Sequence, residues 1–246
     1  MLRFLLISAI LAQAFGSLAA QSTAYVFNVW PTLGTQKWDN SLNRQILFAW
    51  HAALSVESVN NESDKSSLFA QLGYHVKGSA NRYQFFNSQG GFRAQTEQFK
   101  FNNICLLIGA KQKFSFGPSG RSKYYYFGGI RGNYTVSNNL RQLKERNPQL
   151  VQYGIYPFEG GVRKWSGGLS VGGGIQFDFA ELIGGQLQLS INPDVTNQYF
   201  QGPIPNVIDP YGSGQTFTIP ERRIRNTTLE ISLGLRLLRK VEFVEE

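Results

Sequence analysis

Arg225-Asn226-Thr227-Thr228-Leu229-Glu230-Ile231-Ser232-Leu233-Gly234-Leu235-Arg236-Leu237-Leu238 alternates almost without error. Thr227, Leu229, Ile231, Leu233, Leu235 and Leu237 fall on one face, and Asn226, Thr228, Glu230, Ser232, Gly234 and Arg236 on the other. A period of two is a strand, because successive side chains of an extended chain point to opposite sides. At about 3.3 Å per residue this stretch reaches roughly 46 Å, enough to cross a bilayer core even at a steep tilt.

The same period recurs along the chain. Ile46, Phe48, Trp50, Ala52, Leu54 and Val56 alternate with Leu47, Ala49, His51, Ala53, Ser55 and Glu57; Leu68, Ala70, Leu72, Tyr74 and Val76 alternate with Phe69, Gln71, Gly73, His75 and Lys77. Leu169, Val171, Ile175, Phe177 and Phe179 oppose Ser170, Gly172, Gly174, Gln176 and Asp178, and Leu187, Leu189 and Ile191 oppose Gln186, Gln188, Ser190 and Asn192. Weaker alternation over 25–34, 101–114 and 124–136 brings the expected count to eight strands, although 149–158 and 215–219 leave ten open.

Residues 1–20 have the form of a signal peptide: Arg3 as the charged n-region, an apolar run from Phe4 to Phe15, then small Ser17, Ala19 and Ala20. The expected division is therefore 1–20 signal peptide and 21–246 barrel. The run is too short for a spanning helix. Cys105 is the single cysteine, so no internal disulfide holds this exported chain. Charged residues make up 16%, against about 25% in ordinary soluble domains. The net charge of +8 comes from Lys and Arg scattered without a nucleic-acid fingerprint, which fits anionic headgroups or an acidic partner and not nucleic acid.

Alternation alone does not say which face is wet. The polar face is built of Gly, Ser, Asn, Gln and Thr with few charges, whereas a water-exposed sheet carries many Lys and Glu. Small polar side chains packed on one another suit a narrow, filled lumen. The fold expected is all-β: an eight-stranded antiparallel transmembrane β-barrel in the cell outer membrane, with short periplasmic turns and long extracellular loops. After an undecided first pair, 35–45 and 57–66, the connections 78–98, 115–123, 137–165, 180–182 and 196–223 alternate long and short accordingly. Tyr25, Tyr74, Tyr124, Tyr126, Tyr134 and Trp165 lie toward strand ends, as interfacial girdles do, while Trp30 and Trp50 sit nearer mid-strand.

Acids and bases on the polar face, Glu57, Lys77, Lys111, Arg131, Asp178, Glu230 and Arg236, are expected to pair into a network that fills the lumen, since buried charges left unpaired cost several kcal/mol each. His51 and His75, the only histidines, also point to this face, with no Ser or acid at a recognisable spacing. Two isolated His make no metal site, and Gly172-Gly173-Gly174 lacks the Lys and Ser/Thr of a phosphate loop. Neither metal nor cofactor is expected. The long loops carry Phe85, Phe86, Phe92, Tyr153, Tyr156, Phe158, Tyr199, Phe200, Tyr211 and Phe217 among Arg and Lys, the composition of a protein-binding surface; the alternative is that these rings pack on one another and cap the barrel mouth.

With the 68–77 strand and its Leu72-Gly73-Tyr74-His75-Val76-Lys77-Gly78 ending, 104–113, the 124–134 run with Phe127-Gly128-Gly129, the glycine-rich 167–178 and the closing Ile231-Ser232-Leu233-Gly234-Leu235, the chain resembles the PorT-like "porin family" of outer-membrane β-barrels. That resemblance covers most of the mature chain by pattern and order. It implies an eight-stranded outer-membrane barrel, some of whose relatives belong to protein-secretion machinery. The function expected is a non-enzymatic structural or partner-binding component meeting outer-membrane lipid and another envelope protein. A narrow pore for ions or small solutes and a rim-sited hydrolase are its rivals.

Overall fold

A computed structural model gives the fold of residues 22–38, 44–59, 65–86, 91–116, 121–148, 156–208 and 214–240. The expected signal peptide at 1–20, and the loop aromatics Tyr153 and Tyr211, lie outside the described residues. Of Phe85, Phe86 and Phe92 only the backbone is described.

The strands are β1 (Ser22–Trp38), β2 (Arg44–Gln45), β3 (Leu47–Val59), β4 (Ser66–Phe86), β5 (Phe92–Phe116), β6 (Ser122–Asn138), β7 (Trp165–Asp178), β8 (Ile183–Pro193), β9 (Tyr199–Gln201), β10 (Ile204–Ile208), β11 (Thr216–Ile219) and β12 (Arg222–Arg239), with a helix α1 (Leu140–Arg146) after β6. Each of β1, β3, β4, β5, β6, β7, β8 and β12 pairs with the next, and β12 pairs back onto β1 from Thr23↔Arg239 to Trp38↔Ile224. The sheet is thus a closed, eight-stranded antiparallel ring with no free edge. Closure satisfies the backbone N–H and C=O groups without water, the condition a chain must meet inside a bilayer.

Strand parity puts the apolar set outside. Ile231, Leu233, Leu235 and Leu237 of β12, Leu187, Leu189 and Ile191 of β8, and Phe48, Leu54 and Val56 of β3 are exposed, and Ile130 of β6 is 73% exposed. Among the described residues no helix is long and apolar enough to cross a membrane; the strands cross it. An apolar outer band on a closed ring is a lipid-facing wall, so the chain is a transmembrane barrel of the outer-membrane type. Two aromatic belts flank that wall. Phe114 stacks with Tyr124 (5.0 Å) near the rim that carries both described termini, and Tyr134 meets Trp165 (4.9 Å) near the other. Trp50, expected nearer mid-strand, lies close to the outer end of β3 and contacts Tyr74 at 5.2 Å, so it belongs to the outer belt.

Three expectations about the connections change. Residues 78–98 are not a loop: β4 and β5 stay paired up to Phe86↔Phe92. At about 3.4 Å per residue β5 reaches roughly 80 Å, far beyond the membrane, and beyond it neither face needs to be apolar, so the alternation disappears while the strand continues. Residues 196–223 carry β9, which extends the β12 edge, and a separate two-stranded sheet β10–β11. Thr216–Ile219 therefore pairs inside the connection, and the ring stays at eight. Finally, Val76, expected outside, is buried. From His75 to Asn81 every residue of β4 is buried, where β4 passes the outer end of β3, pairs with β2 and approaches β1. Gly78 makes that passage possible: its φ is +154°, and a Cβ there would lie 1.8 Å from the Phe99 carbonyl oxygen, while a Cβ on Gly34 of β1 would lie 3.0 Å from the Gly78 oxygen.

Candidate functional site: the filled lumen and its cap

The inward set, fixed by the same parity, forms layers across the barrel. Near the periplasmic rim Glu57 takes Lys111 at 2.8 Å and also Lys113, and Ser67 Oγ donates to it at 2.8 Å. Arg236 pairs with Asp178 at 3.3 Å. Above the Glu57 layer, Ser55 Oγ donates to Gln71 Oε1 (3.0 Å), Gln186 Nε2 to Asn28 Oδ1 (2.8 Å) and Tyr125 Oη to Gln188 Oε1 (3.1 Å).

The next layer holds both histidines. Thr32 Oγ1 meets His51 Nδ1 at 2.9 Å and Ser232 Oγ meets His51 Nε2 at 3.0 Å; His75 Nδ1 faces Glu230 at 3.2 Å. Arg131 lies between two carboxylates, Glu230 at 3.5 Å and Asp194 at 3.3 Å, and Lys77 takes the same Asp194 at 2.9 Å. Asn226 Nδ2 donates to Asp194 Oδ2 at 2.9 Å, and Gln36 Nε2 to Asn226 Oδ1 at 2.8 Å.

All seven charged residues singled out in the sequence thus line the lumen, each in an ion pair. They do not form one cluster: Glu57 pairs with Lys111, Asp178 with Arg236, and Glu230 with Arg131, while Lys77 pairs with an acid the sequence reading did not include. That acid, Asp194, and the second lysine on Glu57, Lys113, both continue the inward parity of their strands, two residues past Asn192 and Lys111 respectively. The partners of the histidines were also missed. Ser232 is 181 residues from His51 and Glu230 is 155 from His75, separations that only barrel closure brings together. His51 does touch a serine, but its other nitrogen meets Thr32 rather than an acid, and both histidines are 1% exposed inside the barrel, away from the rims. Among the described residues no group of three or more His, Cys, Asp or Glu is placed to hold a metal.

An aromatic cap closes the outer mouth. Trp38, Phe99, Phe101, Leu140, Leu143, Tyr156, Tyr199 and Ile224 form one buried cluster, with Phe158 packed against it. Phe99 meets Trp38 and Tyr156 edge-on, each at 5.2 Å. The Tyr199 hydroxyl accepts from the Phe158 amide (2.9 Å) and donates to Gln201 Oε1 (2.8 Å). Arg44 lies 3.2 Å above the Trp38 ring. Burial, and behind it the like charge of Arg222, push the Arg44 guanidinium down to about 9. Three of the expected partner-binding aromatics are corrected here: Tyr156 and Tyr199 are buried and Phe158 is packed on the cap, because rings tethered over an open barrel bury more area inward than outward. Phe200, half-buried between Arg163 (5.0 Å) and Arg223 (5.8 Å), and the exposed Phe217 face outward.

No protein-family model matches the sequence, and no curated protein does. Among solved structures the chain is similar to Neisserial surface protein A (13% identity, 88% of this chain, 96% of that one, TM-score 0.41). It is also similar to the outer membrane protein OprG from Pseudomonas aeruginosa (10%, 89% and 96%, TM-score 0.44) and to outer membrane protein W of E. coli (14%, 89% and 98%, TM-score 0.37). The fold stands on this chain's own ring of pairings and its lipid-facing wall, which place it in the cell outer membrane.

Proposed function

We propose that this outer-membrane barrel is a non-enzymatic structural or partner-binding component of an envelope assembly, related to the PorT-like barrels, with its work done at the outer rim and its partners outer-membrane lipid and another envelope protein. The observation that carries the reading is the contrast between the two ends of the molecule's polarity. The lumen is filled with paired charges and interlocked amides beneath an aromatic cap, whereas the β10–β11 hairpin stands apart from the ring and exposes Ile208, Phe217 and Ile204. Apolar side chains on a projecting two-stranded sheet are stabilised by a partner.

Ile204 and Ile219 are opposite each other in the hairpin, so 205–218 can be replaced by a short Gly/Ser link without stretching the chain. The expected result is a barrel that still folds but no longer co-purifies its partner from native membranes in mild detergent. The continuous polar lining is the one feature that favours a narrow pore. Single-channel recording of the full chain in planar bilayers separates the two: a silent barrel supports the binding role, and steady ohmic steps replace it with the pore.

A further inference from the structure

The outer wall of the barrel changes character along a single seam. Where β1 meets β12, the outward pairs are Tyr25↔Leu237, Phe27↔Leu235, Val29↔Leu233 and Leu33↔Leu229, then Thr35↔Thr227, then Lys37↔Arg225. Two cations directly opposite one another across an antiparallel pair repel. Arg223, two positions further along β12, adds a third, and together with Glu221 these residues line a cleft of about 260 Å³. Glu221 is engaged by Arg223, and Arg225 Nε donates to the neutral Asn197 Oδ1 at 2.8 Å. Lys37 makes no ion pair or side-chain hydrogen bond with any described residue. The cleft therefore keeps an excess of positive charge with donors pointing outward.

Its height decides what can reach it. Lys37 lies roughly 13 Å along the strand from Leu33 at about 3.3 Å per residue, and a tilt of about 40° reduces that to roughly 10 Å above the apolar edge. The headgroup layer begins at that edge and is several ångströms deep, within reach of Lys and Arg side chains. A lipid standing in that layer meets both the cleft, through its headgroup, and the apolar seam directly below it, through its chains, whereas a protein partner meets only the cleft unless it enters the lipid. A free anion would have only an open, screened cleft.

We propose that Lys37, Arg223 and Arg225 form a docking site for the phosphate-bearing headgroup of an outer-leaflet lipid, whose acyl chains lie along the apolar seam below. The inference rests on the membrane-barrel reading and adds to it a fixed position and chemistry for one bound lipid.

The test is native mass spectrometry of the full chain in neutral detergent, with a diphosphorylated glucosamine lipid as probe and its dephosphorylated counterpart and inorganic phosphate as comparisons. Gel migration before and after heating reports, in each sample, whether the barrel is folded. The expected result is one retained diphosphorylated lipid, an affinity about 30-fold lower in the Lys37→Gln/Arg225→Gln double variant, and no change for Arg239→Gln at the opposite rim. Equal binding of the dephosphorylated lipid, or full binding by the double variant, overturns the site. Displacement of the lipid by millimolar inorganic phosphate overturns the lipid as its occupant. A wild-type chain that shows no heat-dependent migration overturns the barrel reading instead.

Discussion

His51 and His75 lie face to face in the middle of the lumen, ring centroids 5.2 Å apart and planes within 8° of parallel. They are direct Cα partners on β3 and β4, and each is anchored by the far side of the ring closure: His51 by Ser232 and His75 by Glu230, both on β12. The stack therefore ties the first strands of the barrel to the last. Glu230 is the critical member, because it also faces Arg131.

Removing that carboxylate leaves a buried guanidinium with one acid fewer. Glu230→Gln is expected to destabilise the barrel by about 3–5 kcal/mol. The double variant Arg131→Met/Glu230→Met should lose less than either single change, since it removes the charges together. Urea unfolding in detergent, followed by tryptophan fluorescence, reads both. Additive losses would mean that the two residues are not coupled.

Neighbouring positions on β12 test the two faces. Leu233 is outside on the lipid wall and Ser232 inside against His51. Leu233→Arg should cost about 2–4 kcal/mol near the midplane and lower the yield of heat-modifiable protein in the outer-membrane fraction. Ser232→Ala removes one hydrogen bond, worth about 1 kcal/mol. The reverse order of severity would invert the assignment of the faces.

These faces were legible in the sequence because lipid on one side and a packed lumen on the other impose a strict period of two, as in 225–238. Legibility stopped where that constraint stopped. Outside the bilayer the β4–β5 hairpin keeps its hydrogen bonds through Arg82↔Thr96 and Ala80↔Gln98 with side chains of mixed polarity, so an unbroken ladder looked like a loop. Inside, parity showed that Lys77 and His75 point inward but not which residue stands opposite, since register between distant strands is set by barrel closure. Lys113 lies within the 101–114 strand on its inward face, and Asp194 follows Asn192 at the same parity, so both are legible from the period of two. Tyr156 and Tyr199 carried no such signal, because the inward fold of a connection has no period.

Among the described glycines, Gly78 is the one to which backbone comes closest. Gly78→Ala would place a Cβ 1.8 Å from the Phe99 oxygen at a φ of +154°. The expected outcome is loss of the β4 passage over β3, seen as a lower yield of folded barrel. Gly132→Ala, where a Cβ meets nothing within 4 Å, is the matched control. Equal yields for both would show that β4 can relax around the substitution.

The last prediction separates the cap from the wall. Trp38 is the floor of the cap, edge-on to Phe99, beneath Arg44, with its indole N–H donated to Gln36 Oε1 at 3.1 Å. Trp38→Ala should cost about 3–5 kcal/mol of local packing. The lumen ion pairs and the strand ladders below Trp38 are untouched, so heat-dependent migration should survive while protease cleavage in the outer connections rises. Tyr199→Phe loses the two hydrogen bonds of one hydroxyl and should act in the same direction by about 1–2 kcal/mol. Arg44→Met removes a guanidinium none of whose nitrogens has a hydrogen-bond partner among the described residues, and should leave the cap at least as stable. Conductance appearing in Trp38→Ala alone would make the cap a gate over a usable lumen, and the pore would then displace the partner-binding role.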